Sequence, residues 1–343
     1  MSGEAVLTVE DLTVRVGRTA AVEGVGFTIE AGTRVGLIGE SGSGKTLTAL
    51  SVMGLLAEGL SASGAVRHHG RELLGLTEAE MCQVRGDTIT MVFQEPMTAL
   101  NPVMKIGRQV AESLRIHRGA SRAEALERAA DLLEQVRLPD ARSRLEAYPH
   151  QLSGGQRQRV MIALALACGP ELIIADEPTT ALDVTVQAQI LVLLRDLVTE
   201  TGASLLLITH DLAVVSNVCE EVLVMYGGRI VESGPTGEVF SDPRHPYTAG
   251  LLAAVPEIEL GVERARRLPT IPGSVPGLGR FPSGCVFRNR CARADAECEQ
   301  EPPSETIAPG RSVACFHRLR PGEAAEILGV PVAAPGYETG AGS

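Results

Sequence analysis

Over the first half of the chain, short apolar runs bounded by polar or turn residues alternate with stretches of helical spacing. Arg34 to Ile38 is one such run; a glycine-rich turn follows it, and then a helical pattern from Lys45 to Leu56. Leu172 to Ala175 and Leu205 to Thr209 are two more, short and apolar throughout, as expected of parallel strands buried on both faces. Val6 to Val16 reads as an edge strand or one arm of a hairpin. From about Arg108 to Arg137 the spacing is helical and the charge mixed, which predicts a helical subdomain. The succession of strands and helices points to an α/β domain.

The tail breaks the pattern. Pro256 to Pro335 holds 11 of the 20 prolines, with dense Gly and Arg and no long periodic segment, so a boundary is expected near residue 254. The closing stretch, PVAAPGYETGAGS, reads as a flexible end. Each chemical motif occurs once, and no repeat of fixed period is present.

A chain of 343 residues that is 44% hydrophobic can bury one large core and a smaller one. Its net charge of −11 argues against a nucleic-acid partner and against anionic lipid. The start, MSGEAVLTVEDL, has no basic region and no apolar core, so a secretory signal is not expected. The longest apolar stretches, such as Val160 to Cys168, fall well short of the ~20 residues that span a bilayer. Membrane association is therefore expected through a partner. Only Lys45 and Lys105 among the 31 basic residues are lysines, which makes a lysine inside a motif informative.

The turn after Ile38 is that motif. Gly39-Glu-Ser41-Gly42-Ser43-Gly44-Lys45-Thr46 matches the phosphate-loop pattern GxxxxGK[ST], with an apolar strand before it and a helix after it. Its glycines let backbone N–H groups point into one concavity around phosphate oxygens, and the helix adds its positive end. Lys45 supplies a point charge to the β and γ phosphates of ATP, and the Thr46 hydroxyl is placed to bind Mg²⁺. Downstream, the run ELIIA ends in Asp176-Glu177. Asp176, at the end of a buried strand, can hold Mg²⁺ through water, and Glu177 can polarise the attacking water as general base.

Seven cysteines are present, and four of them, Cys285, Cys291, Cys298 and Cys315, lie within 31 residues at spacings C-x5-C-x6-C-x16-C. Reducing conditions disfavour two disulfides. Four thiolates can bind zinc or an iron–sulfur cluster, and the short C-x2–4-C knuckles usual for zinc are missing. A site with no metal stays open as well. Cys82, Cys168 and Cys219 are scattered and read as small buried hydrophobes.

Leu152-Ser153-Gly154-Gly155-Gln156, followed by RQRVMIALALA, resembles the signature sequence of ABC proteins. Read from the residues alone, Ser153 and the glycines open a helix, a second anion-seeking N-terminus. The resemblance implies that this loop caps the γ-phosphate held by another subunit in a head-to-tail dimer. Gln94 in MVFQEP resembles the Q-loop glutamine, a Mg²⁺ and water sensor. His210 in LLLITHD resembles the switch histidine at the γ-phosphate, and Asp183 in ALDV the D-loop aspartate. The resemblance covers roughly residues 5 to 250 and implies an ABC-type P-loop ATPase fold. That fold has a mostly parallel core sheet, an antiparallel β subdomain and a helical subdomain at about 97–170, all within 1–253. A small Pro/Cys-rich C-terminal domain then occupies 254–343. One position departs from the family: Val16 stands where an aromatic often stacks on adenine.

The segment Phe93 to Pro102, then His245-Pro-Tyr-Thr248 with AGLL, and then IPGSVPGLGRFPSGC resemble the dipeptide/oligopeptide/nickel importer branch. No chemistry requires the HPYT sequence; a helix start with Pro246 near its first position accounts for it. Members of the branch include proteins with a [4Fe-4S] cluster in this extension, which here would use the four clustered cysteines, with zinc as the alternative. The branch implies a second ATPase subunit, a paralogue, with two transmembrane permease subunits and an extracellular solute-binding protein. It places the chain peripherally on the cytoplasmic face of the membrane. Import of peptides is the leading function, with a nickel-chelate or other small-solute importer as the alternative. A soluble ABC ATPase acting on ribosomes or DNA is disfavoured by the single cassette and the acidic balance.

Overall fold

The computed structural model describes residues 4–93, 99–179, 182–255 and 270–324. Two sheets form its frame. The first is antiparallel, in the order β2-β1-β4-β5, from β1 (Ala5–Val16), β2 (Thr19–Glu30), β4 (Leu60–His68) and β5 (Arg71–Glu72). The run from Val6 is thus a hairpin arm but no edge. It pairs with β2 on one side and β4 on the other, because its register shift between Glu10 and Thr13 lets a second long strand follow it.

The second sheet has the order β11-β12-β10-β9-β3-β8-β7-β6. Five of its strands are parallel: β3 (Arg34–Ile38), β6 (Ile89–Val92), β7 (Leu172–Asp176), β8 (Ser204–Thr209) and β9 (Glu221–Tyr226). Alternate side chains of these strands serve two cores, which is why the strands are apolar throughout. Val35, Leu37, Ile174, Leu206 and Ile208 join the antiparallel sheet and helix α1 (Lys45–Val52) in one cluster. Ile38, Ile173, Ala175, Leu205 and Leu207 join the helical layer in the other. Helix α1 is shorter than expected: Gly54, at φ 60°, closes it after Val52.

α2 (Glu78–Val84) leads into β6. The expected helical segment near residue 108 is two helices, α3 (Ile106–Arg118) and α4 (Arg122–Gln135). Gly119 ends the first in the left-handed region, and Ser121 starts the second in a capping box with Glu124. The short α5 (Ala141–Arg144), then α6 (Gly154–Leu166), α7 (Val184–Thr201) and α8 (Leu212–Val218) complete this layer. Among the described residues no helix is long and apolar enough to cross a membrane.

Beyond β9 the chain adds β10 (Arg229–Pro235), α9 (Thr236–Ser241) and α10 (Pro246–Ala253). The tail then returns to the main sheet: β11 (Glu305–Ala308) pairs with β12 (Arg311–Val313), which pairs with β10. Cys285, Val286, Phe287 and Cys298 lie in the helical-side core. A proline-rich segment without periodicity therefore packs by extending an existing sheet. The fully buried Glu232 ties it down, accepting the N–H groups of Arg244 at 2.8 Å and His245 at 2.9 Å and facing Arg311 at 3.3 Å. The stretch PVAAPGYETGAGS lies outside the described residues. Cys168 and Cys219 are buried as expected, but Cys82 is exposed, on the solvent side of α2 beside Glu78.

Candidate functional site

At Ile38 the strand stops and the chain wraps back on itself through Gly39 to Thr46. Gly39 (φ 152°) has no room for a side chain, since a Cβ would stand 2.1 Å from the Met225 carbonyl oxygen. Gly42 (φ 80°) and Gly44 (φ 106°) are left-handed, which L side chains rarely adopt. The buried Ser43 accepts the N–H of Gly228 at its carbonyl, 2.9 Å away, which ties the loop to the β9–β10 turn. Ser41 and Thr46 are exposed.

Lys45 points into the concavity. Its Nζ donates to Gly39 O at 2.7 Å, Glu40 O at 3.1 Å and Ser43 Oγ at 3.4 Å. Burial lowers its pKa, opposed by the carboxylates of Glu177, Asp176 and Glu40. Asp176 ends β7 next to this loop. Burial raises its pKa and Glu177 adds to the rise, while a hydrogen bond from Thr46 and the charge of Lys45 oppose it. Its Oδ1 is buried with no protein partner. A buried unpaired carboxylate oxygen is costly unless a cation or water satisfies it, so this donor set fits Mg²⁺.

Glu177 follows in the left-handed region, at φ 44°. A residue without glycine's freedom is strained there by roughly 1–3 kcal/mol. Its N–H is held by Ile208 O at 2.8 Å, and its carboxylate lies 3.3 Å from Nδ1 of His210, which follows β8. The strained turn therefore aims Glu177 across the strand ends toward His210. Three neighbouring parallel strands thus deliver Lys45, Asp176 with Glu177, and His210 to one edge of the sheet.

The other expected residues lie elsewhere. Ser153 caps α6: its Oγ accepts the Gln156 N–H at 3.3 Å, and Gln156 Oε1 accepts the Ser153 N–H at 3.0 Å. Gly154 is exposed, and Gly155 lets α7 approach, since a Cβ there would stand 2.6 Å from Val186 Cγ1. The exposed Asp183 caps α7 through Val186 N–H at 3.0 Å. The hydrogen bonds of Ser153 and Asp183 are thus made at their own helix starts. Val16, 39% exposed, ends β1. Gln94 lies outside the described residues.

The four clustered cysteines are brought close enough to act on one another, and no disulfide joins them among the described residues. Burial pushes the thiols of Cys285 and Cys291 up, and that of Cys315 up to about 12, and nearby cysteines add to each rise. Backbone N–H groups nonetheless aim at the sulfurs: Arg293 donates to Cys291 Sγ at 3.4 Å, and Phe287 and His317 approach Cys285 and Cys315. Such donors suit ligated thiolates, so the residues present fit a metal centre. Among the described residues, the trios of ligand atoms within 4.8 Å of one another are His68–His69–Glu171 and Asp295–Cys298–His317. No trio of the four sulfurs is among them.

Sequence reasoning missed one contact of the HPYT segment. His245 caps α10 by accepting the Tyr247 N–H at Nδ1, 3.0 Å away, and Pro246 takes the first helical position. Tyr247 is thereby driven into the core, where its Oη accepts the N–H of Glu40 in the phosphate loop at 2.9 Å. The HPYT sequence was visible; the reach of Tyr247 to Glu40 was not.

Comparison with known proteins shows the family of the chain. Residues 22–180 match the family model described as ABC transporter, and residues 231–298 match the oligopeptide/dipeptide transporter C-terminal region. The chain is 50% identical over 314 residues to the oligopeptide transport ATP-binding protein OppD of Salmonella typhimurium, covering 90% of this chain and 93% of that one. It is 49% identical over 317 residues to OppD of Escherichia coli, covering 91% and 93%. Among solved structures it resembles the dimeric post-hydrolysis state of the ATP-binding cassette MJ0796 bound to ADP and Pi. There the TM-score is 0.60 and the identity 31%, over 67% of this chain and 98% of that one.

Proposed function

The chain belongs to the ABC transporter family, and from that premise we propose that it is the ATP-hydrolysing subunit powering import of di- or oligopeptides through separate permease subunits. The observation that carries the reading is the meeting of Lys45, Asp176, Glu177 and His210 at the ends of adjacent parallel strands.

The triphosphate lies along Gly39 to Thr46, where backbone N–H groups and the start of α1 face its oxygens. Lys45 exchanges its carbonyl acceptors for the β and γ phosphates. Mg²⁺, when bound, neutralises charge on the phosphate oxygens; Asp176 Oδ1, the Thr46 hydroxyl and Gln94 would hold it. Glu177 accepts a proton from the attacking water and orients it toward the γ-phosphorus, yielding ADP and phosphate. His210, beside Glu177, steadies the γ-phosphate. Ser153 to Gln156 and Asp183, whose hydrogen bonds are made within their own helix starts, serve a site across a head-to-tail dimer. The partner subunit is a paralogue, and the assembly docks on two permeases at the cytoplasmic face, fed by an external solute-binding protein.

The four clustered cysteines hold a [4Fe-4S] cluster in this reading. Zinc at about 2.3 Å from each sulfur would draw the sulfurs to about 3.8 Å of one another. The wide C-x5-C-x6-C-x16-C loops and the N–H donor at Cys291 are what support the larger centre.

The test is Glu177→Gln in the assembled complex. ATP turnover should fall by roughly 10²–10⁴-fold, the scale of a lost general base, while ATP is still bound and ATP-driven peptide uptake into proteoliposomes ceases. An unchanged hydrolysis rate would remove Glu177 from its role.

A further inference from the structure

The back of the phosphate loop is gripped by Tyr247 of α10 and by Arg290 of the C-terminal extension. Glu40, the second residue of the loop, receives Arg290 in a two-pronged ion pair, Nη1 to Oε2 at 2.6 Å and Nη2 to Oε1 at 3.2 Å. Its own N–H is held by Tyr247 Oη. Arg290 is locked in turn. Its Nε donates to Pro272 O at 2.9 Å, its guanidinium lies 5.7 Å from the centre of the Tyr226 ring, and its side chain is only 5% exposed. Arg290 comes immediately before Cys291, in the short helical turn Arg288–Arg290.

A carboxylate in a loop that surrounds a polyanion is an electrostatic liability. Glu40 is close enough to Lys45 to favour its charged form, so its field reaches the ammonium that grips the phosphates. Near a partly desolvated site an uncompensated negative charge is weakly screened. A bidentate guanidinium cancels that charge and also fixes the carboxylate's orientation. A lysine would do the first less well and the second hardly at all.

We propose that Arg290 is a positioning residue for ATP: it masks the Glu40 carboxylate and, with Tyr247, fixes the first turn of the phosphate loop. The C-terminal extension thereby sets the affinity of the site for the triphosphate. This rests on the reading of the loop as an ATP site.

The experiment measures fluorescent-ATP binding to the full-length chain and the ATP dependence of hydrolysis in the assembled complex. Arg290→Ala should weaken ATP binding and raise KM by about tenfold, with kcat altered less than about threefold. Arg290→Lys should recover part of the loss. Adding Glu40→Gln to Arg290→Ala should bring the Kd back to within about threefold of wild type, because no charge is left to mask. Arg290→Lys keeps the test open if Arg290→Ala fails to fold: it keeps a positive charge but loses the two-pronged geometry, so its Kd should be weaker than wild type by about threefold. The proposal is overturned if Arg290→Ala leaves the Kd unchanged, if Arg290→Lys binds as tightly as wild type, or if the double variant binds as weakly as Arg290→Ala. Failure of the wild-type chain to bind ATP at all would instead count against the nucleotide site.

Discussion

His245 links stability to pH through one buried ring. It is 1% exposed, and burial holds its pKa down to about 3 from the ordinary 6.5. Its Nδ1 must stay unprotonated to accept the Tyr247 N–H. The folded chain therefore keeps His245 neutral at pH values where the unfolded chain protonates it. Between pH 6.5 and 3 the unfolded state binds more protons, so stability falls as pH falls, by up to about 1.4 kcal/mol per pH unit. Integrated from pH 8 to 5.5, the loss is about 1.4 kcal/mol. That range stays above the isoelectric point near 5.2, where self-association would interfere. The neighbouring Glu232 works the other way: burial raises its pKa against its backbone and Arg311 contacts, so it protonates more readily in the fold as pH drops. Its contribution cancels when wild type is compared with His245→Asn, which can still cap α10 but does not titrate. Urea unfolding of both proteins at pH 8 and pH 5.5 gives the difference directly. The wild type should lose about 1.4 kcal/mol more than the variant over that range. Parallel losses, within about 0.3 kcal/mol, would mean that His245 is not held neutral by the fold.

Two further outcomes test other parts of the structure. Gly39→Ala forces a Cβ to within 2.1 Å of the Met225 carbonyl oxygen, backbone that cannot rotate away; it should abolish ATP binding and cost about 3 kcal/mol in urea unfolding, and wild-type affinity in this variant would contradict the loop geometry. Cys291→Ser should remove most of the iron and the brown absorbance from anaerobically purified protein, measured by elemental analysis, whereas stoichiometric zinc in the wild type would reject the cluster.

The parallel strands were legible because each is a short apolar run whose period and flanking turns are local properties. Arg34–Ile38 stands where the pattern placed it, and Leu172–Asp176 and Ser204–Thr209 each gain one residue. The phosphate loop was legible for a related reason: glycines at left-handed positions leave a trace in sequence that no packing is needed to decode. What escaped depends on contacts between distant residues. Arg290 and Glu40 are 250 positions apart, and neither belongs to a periodic run. Strands Glu305–Ala308 and Arg311–Val313 are too short to show a period, and they exist only because β10 offers an unpaired edge. The left-handed turn at Glu177 was hidden as well, since nothing in the local residues requires φ 44° there. It follows from the Ile208 carbonyl that holds its N–H.

These two kinds of residue meet at the phosphate loop from opposite sides. On the side that the proposed hydrolysis uses, Asp176, Glu177 and His210 stand at strand ends, spaced by the rigid separation of about 4.7–4.9 Å between neighbouring strands, and Lys45 opens the helix that the loop leads into. On the other side, Tyr247 of α10 holds Glu40 through a hydrogen bond, and Arg290 holds it through an ion pair that depends on the extension being folded. A strand end cannot readily move, because its whole sheet would have to follow. An ion pair borne by a proline-rich segment with little regular structure can be lost by local opening, at a free energy well below that of global unfolding. The chemistry is therefore placed on the invariant face of the loop, and any adjustment of the grip on ATP is placed on the face that the extension reaches.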